Sequence, residues 1–168
     1  MKCSMEAVLY HFTTLDNLLS ILTQNMFVLR DYNHPLNAGE ILPYKRYFLC
    51  TTRNKRYGEG FTVICKNAKV RISLDADKLK CRYKSSPVNI WKISSRRHPK
   101  TILNSFKVEA EERFYNHTNT IPNVKRYIRK IDVLTEGVDE KLMLNLTPLM
   151  GDGVNVYFHK SLQTFNEM

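Results

Sequence analysis

The sequence predicts an α+β fold, and two observations predict it. Short apolar runs of strand length outnumber the segments with helical spacing, and the regular strand–helix alternation of a parallel sheet is absent. The chain has 168 residues, 43% of them hydrophobic and including 8 Phe and 9 Tyr. A chain of this length buries one core without metals or disulfides. We therefore expect residues 1–168 to form a single domain.

A short strand and a helix are expected at the start of the chain. Residues 7–10 have strand character and lead into His11. Thr13 and Thr14 are candidate N-caps, and leucines then recur at helical spacing, which predicts an amphipathic helix over residues 15–24. Asn25 suits a left-handed stop after that helix. Residues 31–43 lack a sustained period and predict a loop.

Strands dominate the prediction for the middle of the chain. A strand over residues 44–51 runs into a basic turn over residues 52–60. Strands over residues 61–65 and 69–74 follow, joined by a turn, and a helical turn is expected over residues 75–79. Between residues 80 and 105 the pattern is weak, with polar or basic loops at residues 85–87 and 94–100.

The second half begins with a glutamate-rich segment, residues 108–115, which we interpret as a strand. A break at Ile121-Pro122, a short helix over residues 123–127 and a strand over residues 128–134 are expected next. A helix over residues 139–146 and a last strand over residues 154–158 complete the prediction.

Three carboxylates crowd the glutamate-rich segment. On a strand Glu109 and Glu111 share one face, and Glu112 points to the other. Carboxylates on one face repel each other unless a cation or a ligand lies between them, so the segment is a candidate site for stabilising positive charge. The alternative is an exposed helical turn in which Glu109 and Arg113 form an i,i+4 ion pair.

The charge of the chain bears on its partners. The formal net charge is +10, which favours polyanions such as nucleic acid. Candidate nucleic-acid contacts are the basic residues Lys55, Arg56, Arg96 and Arg97. For the cluster that holds Arg96 and Arg97, a solvated loop is the alternative.

Cysteine spacing and hydropathy bear on the redox state of the thiols and on the cellular location of the protein. The four cysteines are widely spaced and form no CxxC, so we expect reduced thiols and no metal site. No apolar stretch has the length of a signal peptide or a membrane span. We therefore expect a soluble, cytoplasmic protein that does not contact membranes.

Three motifs occur in order along residues 10–134. The first is Tyr10-His11-Phe12-Thr13 leading into the leucine-rich helix with Asp16-Asn17-Leu18, and the second is Tyr47-Phe48-Leu49-Cys50-Thr51-Thr52-Arg53-Asn54. The third is Ala110-Glu111-Glu112-Arg113-Phe114 followed by Ile121-Pro122 and the strand around Ile131. Together they resemble the ADP-ribosyltransferase fold, and most closely its DarT-like branch, whose members modify DNA bases using NAD. The resemblance implies split mixed and antiparallel sheets with a cleft and few helices.

The resemblance also implies roles for individual residues. His11 would hold the ribose or adenylate portion of NAD, Arg53 would grip the NAD phosphates and orient the reacting end, and Glu111 would be the catalytic glutamate. NAD would be a substrate, and no metal is expected. The supporting residues of the cofactor site would be Thr13, Asn17 and Tyr47.

Elementary chemistry agrees with these roles. Breaking the nicotinamide–ribose bond develops an oxocarbenium-like cation, and a fixed carboxylate at the ribose 2′-hydroxyl stabilises that charge. An arginine can clamp a pyrophosphate in a bidentate way that a lysine cannot.

Three functions remain open from the sequence. The first is an NAD-dependent mono-ADP-ribosyltransferase that modifies nucleic acid in a toxin, defence or phage–host conflict, with a DNA base favoured and RNA or protein as other acceptors. The second is a DNA N-glycosylase that releases a base without NAD, the same carboxylate serving the sugar of the flipped nucleotide. The third is a non-catalytic basic module that binds nucleic acid or protein.

Overall fold

The computed structural model describes residues 7–31, 46–58, 67–87, 111–137, 140–146 and 153–168. The strands are β1 (Val8–Thr13), β2 (Met26–Val28), β3 (Tyr47–Thr52), β4 (Val70–Asp75), β5 (Lys84–Pro87), β6 (Glu111–Asn116), β7 (Thr120–Pro122), β8 (Ile128–Leu134) and β9 (Asn155–His159). The helices are α1 (Leu15–Gln24), α2 (Ala76–Lys80), α3 (Glu140–Leu146) and α4 (Leu162–Glu167), together with a 3₁₀ helix over Val124–Tyr127.

Seven of these strands form one mixed sheet in the order β5-β6-β3-β1-β4-β8-β9, and β2 and β7 form a small second sheet. Neighbouring strands are antiparallel except for the β8–β9 pair, which is parallel. The class predicted from the sequence, an α+β fold with mixed and antiparallel sheets and few helices, is confirmed.

The large sheet opens between β1 and β3. Over its whole length β1 pairs with β4, whereas its register with β3 is a single pair, Tyr10 with Thr52. Beyond that pair the two strands share no further register pair, although β1 stays paired with β4 and β3 with β6 on their other edges. The divergence leaves a gap beside the second half of β1.

Helix α1 covers one face of the sheet. Its buried residues are Leu15, Leu18, Ile21 and Leu22, the spacing of one helical face. The Thr14 side chain accepts a hydrogen bond from the Asn17 amide, and Asn25 adopts φ 52° at the other end. Both predicted boundaries are confirmed, since a hydroxyl cap and a left-handed Asn are local signals.

The core has two parts on opposite faces of the sheet. The main core joins the apolar face of α1 to alternate residues of the strands, including Ile72, Phe114 and Ile131. A smaller cluster on the other side contains Phe12, Ala68, Leu134 and Phe165, and Phe165 comes from α4. Helix α4 therefore closes the second face of the sheet.

Several predicted boundaries were wrong. Strand β1 continues through Thr13 rather than ending before His11, because its second half pairs with β4. The expected break at Ile121-Pro122 is strand β7, which tolerates a proline because it belongs to a two-stranded sheet. The polar loop expected at residues 85–87 lies in β5, which pairs with β6. Neither β2 nor α4 was predicted.

Other predicted segments agree with the structure or fall outside it. Strand β8 has the predicted bounds, and the helix expected over residues 123–127 is the 3₁₀ helix. The predicted strand over residues 61–65 lies outside the described residues, as do Glu109, Arg96 and Arg97.

Candidate active site

His11 stands in the opening between β1 and β3. Its Nδ1 lies 2.9 Å from the Cys50 carbonyl oxygen, and since a carbonyl only accepts, Nδ1 is the protonated nitrogen. The Phe27 ring meets the imidazole edge-on, with 5.4 Å between the ring centroids. Burial is the main effect on the pKa of His11 and lowers it. The hydrogen bond to the Cys50 carbonyl raises the pKa, the charge of Arg30 lowers it, and the pKa is lowered overall. The imidazole is therefore neutral at pH 7.

Cys50 connects this histidine to the glutamate-rich strand. On β3 it lies opposite Arg113 of β6, and Thr52 lies opposite Glu111. Burial and, to a smaller extent, the negative charge of Glu111 raise the pKa of the Cys50 thiol to about 12. Cys50 thus holds His11 through its carbonyl and keeps a neutral thiol near the Glu111 carboxylate.

Glu111 is the first residue of β6 and is buried. Its Oε1 accepts a hydrogen bond of 2.7 Å from Nε of Arg113, and 3% and 2% of the two side-chain surfaces are exposed. Its Oε2 is buried and has no hydrogen-bond partner among the described residues. One oxygen of this carboxylate is therefore occupied, and the other is buried without a hydrogen-bond donor from the described residues.

Glu112 faces the opposite side of the strand and has different partners. Its carboxylate contacts Nη2 of Arg53 at 3.1 Å, Nζ of Lys80 at 3.1 Å and the Ser85 hydroxyl at 2.8 Å. Burial raises the pKa of Glu112, but hydrogen bonds from Ser85, Lys80 and Arg53 outweigh it and lower the pKa overall. The structure thus brings Arg53 to Glu112, whereas the ion pair of Glu111 is made with Arg113.

A cavity of about 460 Å³ opens beside His11. This volume is in the range of small-molecule pockets. Residues from β1, the start of α1 and the β2 region line it, among them His11, Thr13, Thr14, Asn17, Phe27 and Arg30. Three predicted cofactor residues, His11, Thr13 and Asn17, therefore share one cavity. Tyr47, Arg53 and Glu111 are not in its lining, and Tyr47 packs against the main core.

The fold has counterparts among solved structures. One is Thermus sp. 2.9 DarT in complex with ADP-ribosylated ssDNA, with a TM-score of 0.60 and 12% identity over 95% of this chain and 97% of that chain. The chain has the DarT fold. A second structure, Thermus sp. 2.9 DarT in complex with NAD+, gives a TM-score of 0.58 and 14% identity over 95% of this chain and 98% of that chain.

Thermosipho africanus DarTG in complex with ADP-ribose is also similar, with a TM-score of 0.55 and 16% identity, and the match covers 95% of this chain and 50% of that chain. No family model and no curated protein matches the sequence. The resemblance to the DarT fold that the three motifs indicated is confirmed at the level of structure.

The predicted nucleic-acid contacts are dispersed on this DarT fold. Nζ of Lys55 lies 3.1 Å from the Glu167 carbonyl oxygen, which ties the β3–β4 connection to α4. Arg56 is exposed. Arg96 and Arg97 lie outside the described residues.

Two arginines near the site were missed from the sequence. Arg30 lines the cavity, and its backbone pairs in both directions with Phe48 of β3. No sequence signal marked it, because residue 30 meets β3 only after folding. Arg113 was considered only as the partner of Glu109 in a helix. Its position two residues after Glu111 was a usable signal, since i and i+2 share a face of a strand.

The described ranges contain no group of three or more His, Cys, Asp or Glu side chains placed to hold a metal ion. Within the same ranges, no helix combines the length and the apolar character needed to cross a membrane.

Proposed function

We propose that the protein is an NAD-dependent mono-ADP-ribosyltransferase that modifies nucleic acid, with a DNA base as the favoured acceptor. The buried, unpaired Oε2 of Glu111 carries the proposal. Leaving a buried acceptor unpaired costs about 1–3 kcal/mol, and more when the group is charged. Such an atom is understandable where a ligand supplies the donor, and the ribose 2′-hydroxyl of NAD is a donor of the required kind.

In the proposed reaction Glu111 acts on the sugar. The nicotinamide leaves with the electron pair of its bond to the ribose, and the carboxylate stabilises the oxocarbenium-like charge that develops. An atom of the acceptor base then forms the new bond to the anomeric carbon and loses its proton. A carboxylate with one oxygen fixed by Arg113 needs little reorganisation during these steps.

The cavity beside His11 is the proposed site for the rest of NAD. Because Nδ1 of His11 donates to Cys50, Nε2 carries a lone pair that can accept a hydrogen bond from a ribose hydroxyl. Thr13, Asn17 and Arg30 supply polar and cationic groups in the same cavity. Arg53 lies outside that lining and pairs with Glu112, and its assignment to the phosphates rests on the resemblance of the motifs. The NAD+ complex of a DarT with the same fold supports this assignment.

Charge supports a nucleic-acid acceptor. The net charge of +10 attracts a polyanion, and one structural neighbour is a DarT bound to ADP-ribosylated single-stranded DNA. We assign Lys55, Arg56, Arg96 and Arg97 to contacts with that acceptor.

Intact mass of the nucleic acid tests the proposal. The protein is incubated with single-stranded DNA, duplex DNA or RNA, with and without NAD, and we expect an NAD-dependent gain of one ADP-ribose on single-stranded DNA. Glu111→Gln should abolish the gain, and Glu140→Gln, which changes an exposed glutamate of α3, should retain it. Loss of a base without NAD would instead identify an N-glycosylase. No change in any nucleic acid, with salt-sensitive binding intact, would identify a binding module.

A further inference from the structure

Arg113 is a buried arginine within the candidate active site. It lies two residues after Glu111 on β6, so both side chains are on one face of the strand. Its Nε donates to Oε1 of Glu111 at 2.7 Å. Its guanidinium carbon lies 4.4 Å from the centroid of the Phe48 ring, which places the cation over an aromatic face. The guanidinium group is thus held by two separate contacts.

The ion pairs of the neighbouring residue Glu112 differ from this one in exposure. Glu112 is bound by Arg53 and Lys80, whose side chains are 62% and 40% exposed. Arg113, in contrast, is 2% exposed. A buried ion pair gains little net stability over apolar residues of similar volume, because removing two charges from water offsets their attraction. Stability alone therefore gives little reason for a buried arginine at Glu111.

The two oxygens of Glu111 differ because of Arg113. Oε1 is occupied by the guanidinium, and Oε2 has no partner in the described part of the chain. A carboxylate held at one oxygen cannot exchange its two oxygens by rotation without breaking the bond to Arg113. The same atom therefore stays in place for an incoming hydroxyl.

We propose that Arg113 is a positioning residue for the reaction, which fixes the Glu111 carboxylate so that Oε2 alone meets the ribose hydroxyl of NAD. The inference rests on the proposed function. Lysine is not equivalent at this position, because it lacks both the Nε donor and the planar group that stacks on Phe48.

Chemical rescue distinguishes positioning from a purely structural role. In Arg113→Ala we expect kcat to fall about 100-fold, the scale of a 1 Å misplacement of a catalytic group, with KM for NAD changed less than about threefold. Guanidinium chloride at a non-denaturing concentration should raise the kcat of Arg113→Ala about tenfold or more. Arg113→Lys should fall by a similar factor without responding to guanidinium.

The control is a second deeply buried arginine. Arg71 is fully buried and contacts Asp132 at 2.9 Å, so Arg71→Ala also removes a buried ion pair from the same sheet. We expect Arg71→Ala to be destabilised in urea, with no recovery of kcat when guanidinium is added. Equal rescue of both variants, or an unchanged kcat in Arg113→Ala, would overturn the inference.

A measurement that does not depend on activity separates this inference from the proposed function. In crystal structures of the wild type and Arg113→Lys, we expect the Glu111 carboxylate to rotate in the variant while the β6 backbone stays in place. An unmoved carboxylate would refute positioning by Arg113. A wild-type protein that never consumes NAD would refute the proposed function, whatever the carboxylate does.

Discussion

Nδ1 of His11 donates to the Cys50 carbonyl across the opening between β1 and β3, over 2.9 Å. These residues belong to strands that share a single register pair, Tyr10 with Thr52. The bond therefore spans the gap that the divergence of the strands creates. His11 lines the cavity, and the Cys50 thiol lies near Glu111. The candidate NAD site and the candidate catalytic carboxylate are linked through one residue of β3.

The first prediction concerns the pH dependence of NAD binding. The pKa of His11 is lowered from 6.5, mainly by burial, so the neutral ring persists below pH 6.5 and is lost only when the pH falls through the lowered value. If Nε2 accepts from NAD, affinity measured by calorimetry should be constant from about pH 8 to 6.5 and fall below that. His11→Phe should bind about tenfold more weakly, the value of one hydrogen bond, and lose the fall. The prediction would be contradicted if the affinity of the wild type, but not that of His11→Phe, already declined between pH 8 and 6.5.

The second prediction concerns thiol reactivity. The thiolate is the form that reacts with iodoacetamide, and burial together with Glu111 raises the pKa of Cys50 to about 12. At about pH 8, Cys50 should be alkylated far more slowly than the exposed Cys81, as measured by peptide mass spectrometry over time. Glu111→Gln should speed the labelling of Cys50, because it removes a charge that disfavours the thiolate. Equal rates at Cys50 and Cys81 in the wild type would show the prediction to be wrong.

The third prediction concerns helix α4. Phe165 is fully buried, and its ring contacts the Arg71 guanidinium, with 4.7 Å from the guanidinium carbon to the centroid. Phe165→Ala should lower the free energy of unfolding by about 3 kcal/mol, as large-to-small changes in cores do. The matched control is Phe158→Ala on β9, whose residue is 40% exposed and should change stability by about 0.5 kcal/mol or less. Urea titration compares the two, and equal losses would show that α4 is not part of the core.

The fourth prediction separates Glu112 from Glu111. The pKa of Glu112 is lowered from 4.5, so the stability it contributes is present above pH 4.5 and is lost as the pH falls through the lowered value. Glu112→Gln should be less stable than the wild type by about 1 kcal/mol at pH 7, a modest value because Arg53 and Lys80 are partly exposed. The difference should vanish in acid and shrink in high salt. Glu136→Gln, at an exposed position, is the control, and a difference that persists in acid would contradict the assignment.

Local chemistry let the sequence predict several elements. Helix α1 begins after the Thr14 cap and ends before the left-handed Asn25, as predicted. Strand β8 also has the predicted bounds. Capping and periodicity depend on a few neighbouring residues, so they can be identified from the sequence alone. The order of the three motifs was enough to indicate the DarT fold. The same motifs grouped His11, Thr13 and Asn17, which line one cavity.

Tertiary structure decided the partners. Strands β5 and β7 exist because β6 and β2 pair with them, and no local signal marked either. His11 meets Cys50 across 39 residues of sequence, and Arg53 meets Glu112 across 59. Even Arg113, two residues from Glu111, could be assigned only once β6 was a strand and both side chains were buried. The sequence by itself determined the elements that carry local signals, such as α1 and β8, and the side chains that bear the chemistry. Their pairing was decided by strand register and burial, which depend on contacts between distant parts of the chain.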